Sequence, residues 1–281
     1  GFKGAPPELL ENPYEELLLV ITDSSKAGSI RSTLNSMLSC ADESKELLST
    51  DTMRVINDLR DALDNLDLDL AEGLVSAPEE ALDPLVTALV ALSGLMQESM
   101  IRGVGWRFME LGKRSERALQ IISAIRSLMT PVMGESDQAN LLSALLVSME
   151  VLITYRRRGR ERRGIDLGLE LVMLDTSNPR SLIFQLERLQ EHLANLPEKD
   201  AAGSSAELEE EERALLEAIT SLQLSRLPTL LADADGRREE LHTLLGQLNK
   251  LLNDFNHFIS DKHFDHRVDS QQLVTSFWGE Q

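Results

Sequence analysis

The chain has little of several things, and each scarcity excludes something. Of 281 residues only 4% are aromatic, and Lys and Arg together number 28 against 47 Asp and Glu, a net charge of −19. A surface of that sign repels phosphate backbones and anionic membranes, and so few rings leave no platform for stacking bases. A single cysteine, Cys40, rules out an intrachain disulfide and fits a cytoplasmic setting. Within a helical pattern, Cys40 reads as a small core residue rather than a nucleophile. The longest uncharged apolar run, Pro84 to Gln97, is too short to span a bilayer, and the N-terminus carries no signal-peptide pattern. No segment shows the sustained period-two, β-branched pattern of a strand. Gly103-Val104-Gly105 lacks the strand before it and the GK[ST] after it that a phosphate loop needs. No local motif signals a Ser-His-Asp or Cys-His arrangement.

What is present is helical periodicity. Apolar residues make up 42% of the chain, enough for a sizeable core. Short and long helices are expected over Tyr14–Ile21, Ser29–Leu48, a segment capped by Thr50 or Asp51, Leu85–Ile101, a charged helix up to Met129, and Asp137–Arg160. Further helices follow through Leu167–Leu174, from Pro179, from Glu209, and over Arg237–Ser260. The acidic stretch Leu66–Asp83, broken by Gly73 and Pro78, reads as a loop. Pro197–Ser205 reads as a flexible linker. Seven prolines, among them Pro84, are expected at or between helices rather than inside them. The fold class is therefore all-α, a bundle of about ten helices.

The charged helix organises this reading. Phe108, Leu111, Ser115, Ala118, Ile122, Ile125 and Met129 recur every three or four positions, the seam of a packed helix. Trp106, Glu110, Lys113 and Arg117 form a second stripe at the same spacing. Gly105 and Gly112 suggest close approach by a neighbour. A helix apolar on more than one side is sandwiched, so its charges need partners. Glu110, Arg114, Glu116 and Arg117 are thus either structural ion pairs or the lining of a polar pocket.

A weak internal repeat adds organisation. Leu19-Val20-Ile21-Thr22-Asp23-Ser24-Ser25 through Ser29-Ile30 matches Leu171-Val172-Met173-Leu174-Asp175-Thr176-Ser177 through Ser181-Leu182 at a constant offset of 152. Asp and Ser suit a turn that ends one helix and caps the next, so local capping is the simplest role for Asp23 and Asp175. At that offset the counterpart of the charged helix falls before residue 1. The expected organisation is a lead-in over 1–12, a partial first half over 13–103, a second half over 104–266 in the same bundle, and a loose tail over 267–281.

Trp106 to Ala118, Thr154 to Arg158, and Leu174-Asp175-Thr176-Ser177-Asn178-Pro179-Arg180-Ser181 through Leu186 together resemble the bacterial alpha-E family, an all-helical domain named for a Glu-Arg motif. That motif would be Glu116-Arg117. The resemblance runs from about Tyr14 to Phe264 and is nearest to versions fused behind a circularly permuted ATP-grasp domain, with the first motif copy missing. It implies association with ATP-grasp ligases, transglutaminase-like proteases or an acceptor peptide, and a role in amide-bond formation or peptide modification. It implies no cofactor.

Tyr155 to Arg163 holds six arginines in nine positions of this acidic chain. Arginine forks grip carboxylates and phosphates in pairs, so a docking surface is one reading and a solvated helix end the other. The residues that would bind a ligand or partner are Trp106, Arg114, Glu116, Arg117, Tyr155, Arg156, Arg158, Asp175, Asn178, Arg180 and Ser181. His257, Asp261, His263, Asp265 and His266 cluster near the end of the last helix, but few hydrophobes there would hold them convergent, and no metal site is expected. Two functional readings stand. One is a non-catalytic module that binds a ligase, its peptide or another copy of itself. The other is an enzyme with an acid–base site around Glu110, Glu116, Arg117 and Tyr155.

Overall fold

The computed structural model describes residues 13–73, 78–159, 164–197 and 207–264. Within them the fold is all helix, with two isolated β-bridges at Pro131–Arg237 and Ala234–Arg237 and no strand. The expected lead-in, most of the 197–205 linker, the second half of the arginine run and the tail after Phe264 lie outside the described residues. The chain divides into two compact units, residues 1–102 and 103–281.

The first unit contains α1 (Pro13–Thr22), α2 (Ile30–Glu43), a 3-10 turn (Lys45–Leu47), α3 (Thr50–Gly73) and α4 (Pro78–Glu98). Ile56, Leu59, Leu63, Leu66 and Leu70 keep a three-four spacing along α3 and are all buried, facing Ala81, Leu85 and Ala88 of α4. Each such side chain contributes roughly 1.5–3 kcal/mol by leaving water. That seam corrects the loop expected over Leu66–Asp83: the helices run through to Gly73 and restart at Pro78. Asp67, Glu80 and Asp83 are exposed, outside an apolar stripe that does not stop at Leu66. Pro84 also lies inside α4 rather than between helices. Ser49, not Thr50 or Asp51, caps α3, its Oγ accepting the Thr52 amide at 3.1 Å. Cys40 is exposed and is not a core residue, because the inward face of α2 is set by Leu34 and Leu38.

The second unit is built on α5 (Val104–Met129). It continues with α6 (Glu135–Ser148), α7 (Leu152–Arg158), α8 (Ile165–Leu169) with a π turn over Glu170–Leu174, and α9 (Leu182–Leu193). Then come α10 (Glu210–Leu224), the single turn α11 (Leu227–Leu230) and α12 (Glu239–His263). The expected seam of α5 is buried at Leu111, Ser115, Ala118, Ile122, Ile125 and Met129, against α9 and α12, while Phe108 is half-buried beside His263 and Phe264. Gly112 allows no close approach: a Cβ there would meet nothing within 4 Å.

The single helix expected over Asp137–Arg160 is two, α6 and α7, bent by 119°. Val151 donates its amide to Leu146 and Glu150 holds φ 56°, so α6 ends in the left-handed C-cap that usually takes glycine. No glycine or proline marks the break, which is why periodicity alone runs through it. The helix expected from Pro179 starts one turn later, capped by Ser181. No single helix among the described residues is long and apolar enough to cross a membrane.

Candidate functional site

The repeat is visible in the hydrogen bonds. In the first unit Asp23 Oδ1 accepts the Ser25 amide (2.8 Å) and hydroxyl (2.7 Å), the Asp23 carbonyl accepts the Ser29 hydroxyl (2.6 Å), and Ser29 Oγ accepts the Ser32 amide (3.0 Å). In the second, Asp175 Oδ1 accepts the Ser177 amide (2.9 Å) and hydroxyl (2.6 Å), the Asp175 carbonyl accepts the Ser181 hydroxyl (2.7 Å), and Ser181 Oγ accepts the Phe184 amide (3.2 Å). Every donor and acceptor is shifted by the same 152 positions. Two residues close the corner, the Asp by satisfying an amide of the turn and the Ser by satisfying a free amide of the next helix.

The second corner carries more. Arg158 at the end of α7 donates to Asp175 Oδ2 at 2.5 Å, and the Asn178 side chain donates to the Leu171 carbonyl at 2.8 Å. Burial alone would raise the Asp175 carboxyl, but the Ser177 bonds and Arg158 outweigh it and hold it below the usual range. Arg158, Asp175, Glu170 and Arg226 line an open depression of about 650 Å³.

The charged helix places its ions unevenly. Glu110 is 1% exposed and pairs with Lys113 and Arg114 on its own helix. Arg114 also donates to Gln185 Oε1 of α9 at 3.3 Å and lies over the Phe184 ring. His192 approaches Glu110 at 3.9 Å and meets Trp106 edge-on, with ring centroids 5.0 Å apart. Burial pushes the His192 ring below its ordinary pKa, which Glu110 only partly opposes, so the ring is neutral near pH 7. Ser115 donates to Asn256 of α12 at 2.7 Å.

Glu116 faces away from this cluster. It is exposed and accepts a bond from Gln120 at 3.1 Å. Arg117 is half-buried, and burial followed by repulsion from Arg180 and Arg114 lowers its pKa. Arg180 itself pairs with Glu150 at 2.5 Å. The proposed acid–base set is therefore not one site: Glu110 is enclosed between α5 and α9, Glu116 points outward, and Tyr155 is buried elsewhere, its hydroxyl 3.4 Å from the Gly164 carbonyl. Trp106, Arg114 and Glu110 come together; Arg158, Asp175, Asn178 and Ser181 form the corner; Arg156 is exposed on α7.

A profile of Alpha-E, "a predicted alpha-helical domain with a conserved ER motif", matches residues 5–264. The chain belongs to the Alpha-E family. Among the curated relatives of this Alpha-E chain are the uncharacterized proteins Rv2567 of Mycobacterium tuberculosis (strain H37Rv) and Mb2597 of Mycobacterium bovis. Each is 34% identical over 239 residues, covering 83% of this chain and 26% of the relative. The chain thus spans about a quarter of the length of those proteins. No solved structure matches it.

Several Alpha-E residues that hold the site together carry no motif. Gln185 and His192 are buried on the seam of α9 one heptad apart, a polar interruption that signals a buried network once α9 is placed. Arg238, just before α12, is 6% exposed and anchors the end of α5. Lys262 pairs with the nearly buried Glu211, which raises the Lys262 pKa despite burial. Around the terminal histidines, His257 and Asp261 form an exposed pair at 3.3 Å, and His263 meets Phe108 edge-on. No group of three or more His, Cys, Asp or Glu converges among the described residues.

Proposed function

We propose that this chain is a non-catalytic helical accessory module of the cytoplasm that works beside an ATP-grasp amide or peptide ligase, holding the ligase or its acceptor peptide. One observation carries the reading: the matched segment accounts for 83% of this chain but 26% of its relatives, so the fold recurs as one module among other segments of longer proteins. The ligase connection rests on the family resemblance. The chemistry of the bundle agrees with a binding role. Glu110 is neutralised by Lys113 and Arg114, and Asp175 by Arg158 and its own corner, so these groups hold helices in register. Arg156 and Arg157 are exposed on α7 of a chain whose net charge is −19, a local field suited to a carboxylate-bearing partner. Gel filtration of the chain with the cognate ATP-grasp domain at tens of micromolar tests it. A complex that Arg156→Glu with Arg157→Glu disrupts is the expected result; separate elution of the two wild-type proteins refutes the reading.

The second reading, an acid–base site of the bundle's own in peptide modification, is favoured by the Glu110–His192 approach inside an enclosed seam rather than by Glu116. It requires turnover that Glu110→Gln abolishes and Glu116→Gln leaves intact.

A further inference from the structure

At the 152-position offset each residue of α2 has a counterpart in α9 or just beyond it, and the two helices are covered differently. α9 buries six positions, among them Gln185 and His192, one heptad apart. Both meet α5: Arg114 bonds Gln185, and Glu110 and Trp106 approach His192. Their counterparts are Thr33 and Cys40, on the same spacing in α2, and both are exposed. α2 itself buries only Leu34 and Leu38. Leu17 and Leu19 of α1 repeat the contrast. They are 48% and 45% exposed, whereas Leu169 and Leu171, in the same places of the second unit, are buried. Among the described residues the first unit has no counterpart of α5.

The same gap shows on α4, which packs on α3 as α12 packs on α10. α12 turns a second side to α5 through Asn256 and His263. On α4, Val86, Leu89 and Val90 are exposed within the uncharged run from Pro84 to Gln97, although Leu85 and Ala88 already fill its core side. Water solvates Thr33 and Ser36 readily, but a helix apolar on more than one side belongs between neighbours.

Charge narrows the kind of helix that fits. Residues 1–102 hold 7 Lys and Arg against 19 Asp and Glu, whereas α5 holds five basic residues and two acidic ones. A second copy of the chain brings the same negative field, and its α5 is already packed against α9 and α12. We propose that α2 and α4 form a docking face for one basic amphipathic helix patterned like α5 and supplied by another polypeptide, its apolar seam lying over Met37, Cys40 and Leu89. The proposal does not rest on the ligase-module reading: it concerns the first unit, and Arg156 and Arg157 belong to the second.

Cys40, the only thiol of the chain, reports on this face. Its reaction with Ellman's reagent is followed in the full chain, with and without a synthetic peptide of residues 104–129, and sedimentation gives the oligomeric state. The chain alone is expected to be monomeric, with Cys40 reacting at close to the rate of a free thiol. Peptide at about ten times its Kd should slow that reaction about tenfold, as occupancy dictates. A peptide carrying Leu111→Glu and Ile122→Glu, which breaks the apolar seam, should give no protection. Thr33→Lys, an exposed change that sets a cation against a basic helix, should abolish protection and leave the thermal midpoint unchanged. Four results would overturn the proposal: a Cys40 already protected in the monomeric chain, protection by a dimer of the chain, no protection by the wild-type peptide at about 1 mM, or protection that survives Thr33→Lys.

Discussion

The uneven placement of charge on α5 makes a pair of neighbouring glutamates a sharp test. Glu110 and Glu116 are six residues apart on one helix, yet one is sealed and the other is in water. Glu110→Gln keeps the shape and removes the charge that Lys113 and Arg114 share. Stripping one partner from a fully buried pair costs about 3–5 kcal/mol. Here both cations keep part of their hydration, and Arg114 retains Gln185 and the Phe184 face, so the loss is smaller, about 2 kcal/mol. For a unit of this size that lowers the thermal midpoint by about 4–8 °C. Glu116→Gln gives up one exposed side-chain bond to Gln120 and should stay within about 0.5 kcal/mol of wild type. Differential scanning calorimetry of both variants, with a Glu110/Arg114 double-mutant cycle, reads the difference directly. Equal melting of the two single variants, or a cycle coupling below about 0.5 kcal/mol, would refute the assignment of Glu110 as the buried ion of the helix.

Further predictions follow from the corners and the histidines. Ser29→Ala and Ser181→Ala each remove a cap and a second local bond, and should cost about 1–2 kcal/mol in urea unfolding, each shifting the transition of its own unit. His192 is held below its ordinary pKa by burial, and His242 by burial and then by Arg126 and Arg237. The folded state therefore binds fewer protons than the unfolded chain just below pH about 6.5, so stability is complete above that value and falls as the pH drops towards 5. His192→Gln should flatten its share of that slope in pH-dependent melting. The Asp175 contribution persists lower: it is complete above pH about 4, the ordinary carboxylate value, and is lost only as the pH falls on through the depressed folded pKa.

Much of this was legible in the residues, and the failures have physical causes. The seam of α5 follows from spacing alone, and the two Asp-Ser corners from a twelve-residue match whose chemistry is local. The end of α6 was not legible, because Glu150 occupies a backbone conformation that nothing in its side chain announces. The extent of α3 was obscured by acidic residues such as Asp64 and Asp67, which are exposed and say nothing about whether the inner face continues. The Glu-Arg pair drew attention to Glu116, but rotation about the helix sends that side chain outward and leaves Glu110, six positions earlier, inside. Arg238 was invisible because its partners, the Met129 and Pro131 carbonyls and the Gln138 side chain, lie 100 or more positions away, and Gln185 because its charged partner Arg114 lies 71 positions away.

The paired corners carry a consequence for how the chain assembles. The four bonds common to both corners span no more than six positions, so neither needs distant sequence to form, and closing so short a loop costs little entropy. During synthesis the chain meets the same self-sufficient bend twice, long before the helices it joins have found their neighbours. Each half can thus set the direction of its next helix early, leaving only the slower search for side-on packing to the finished polypeptide.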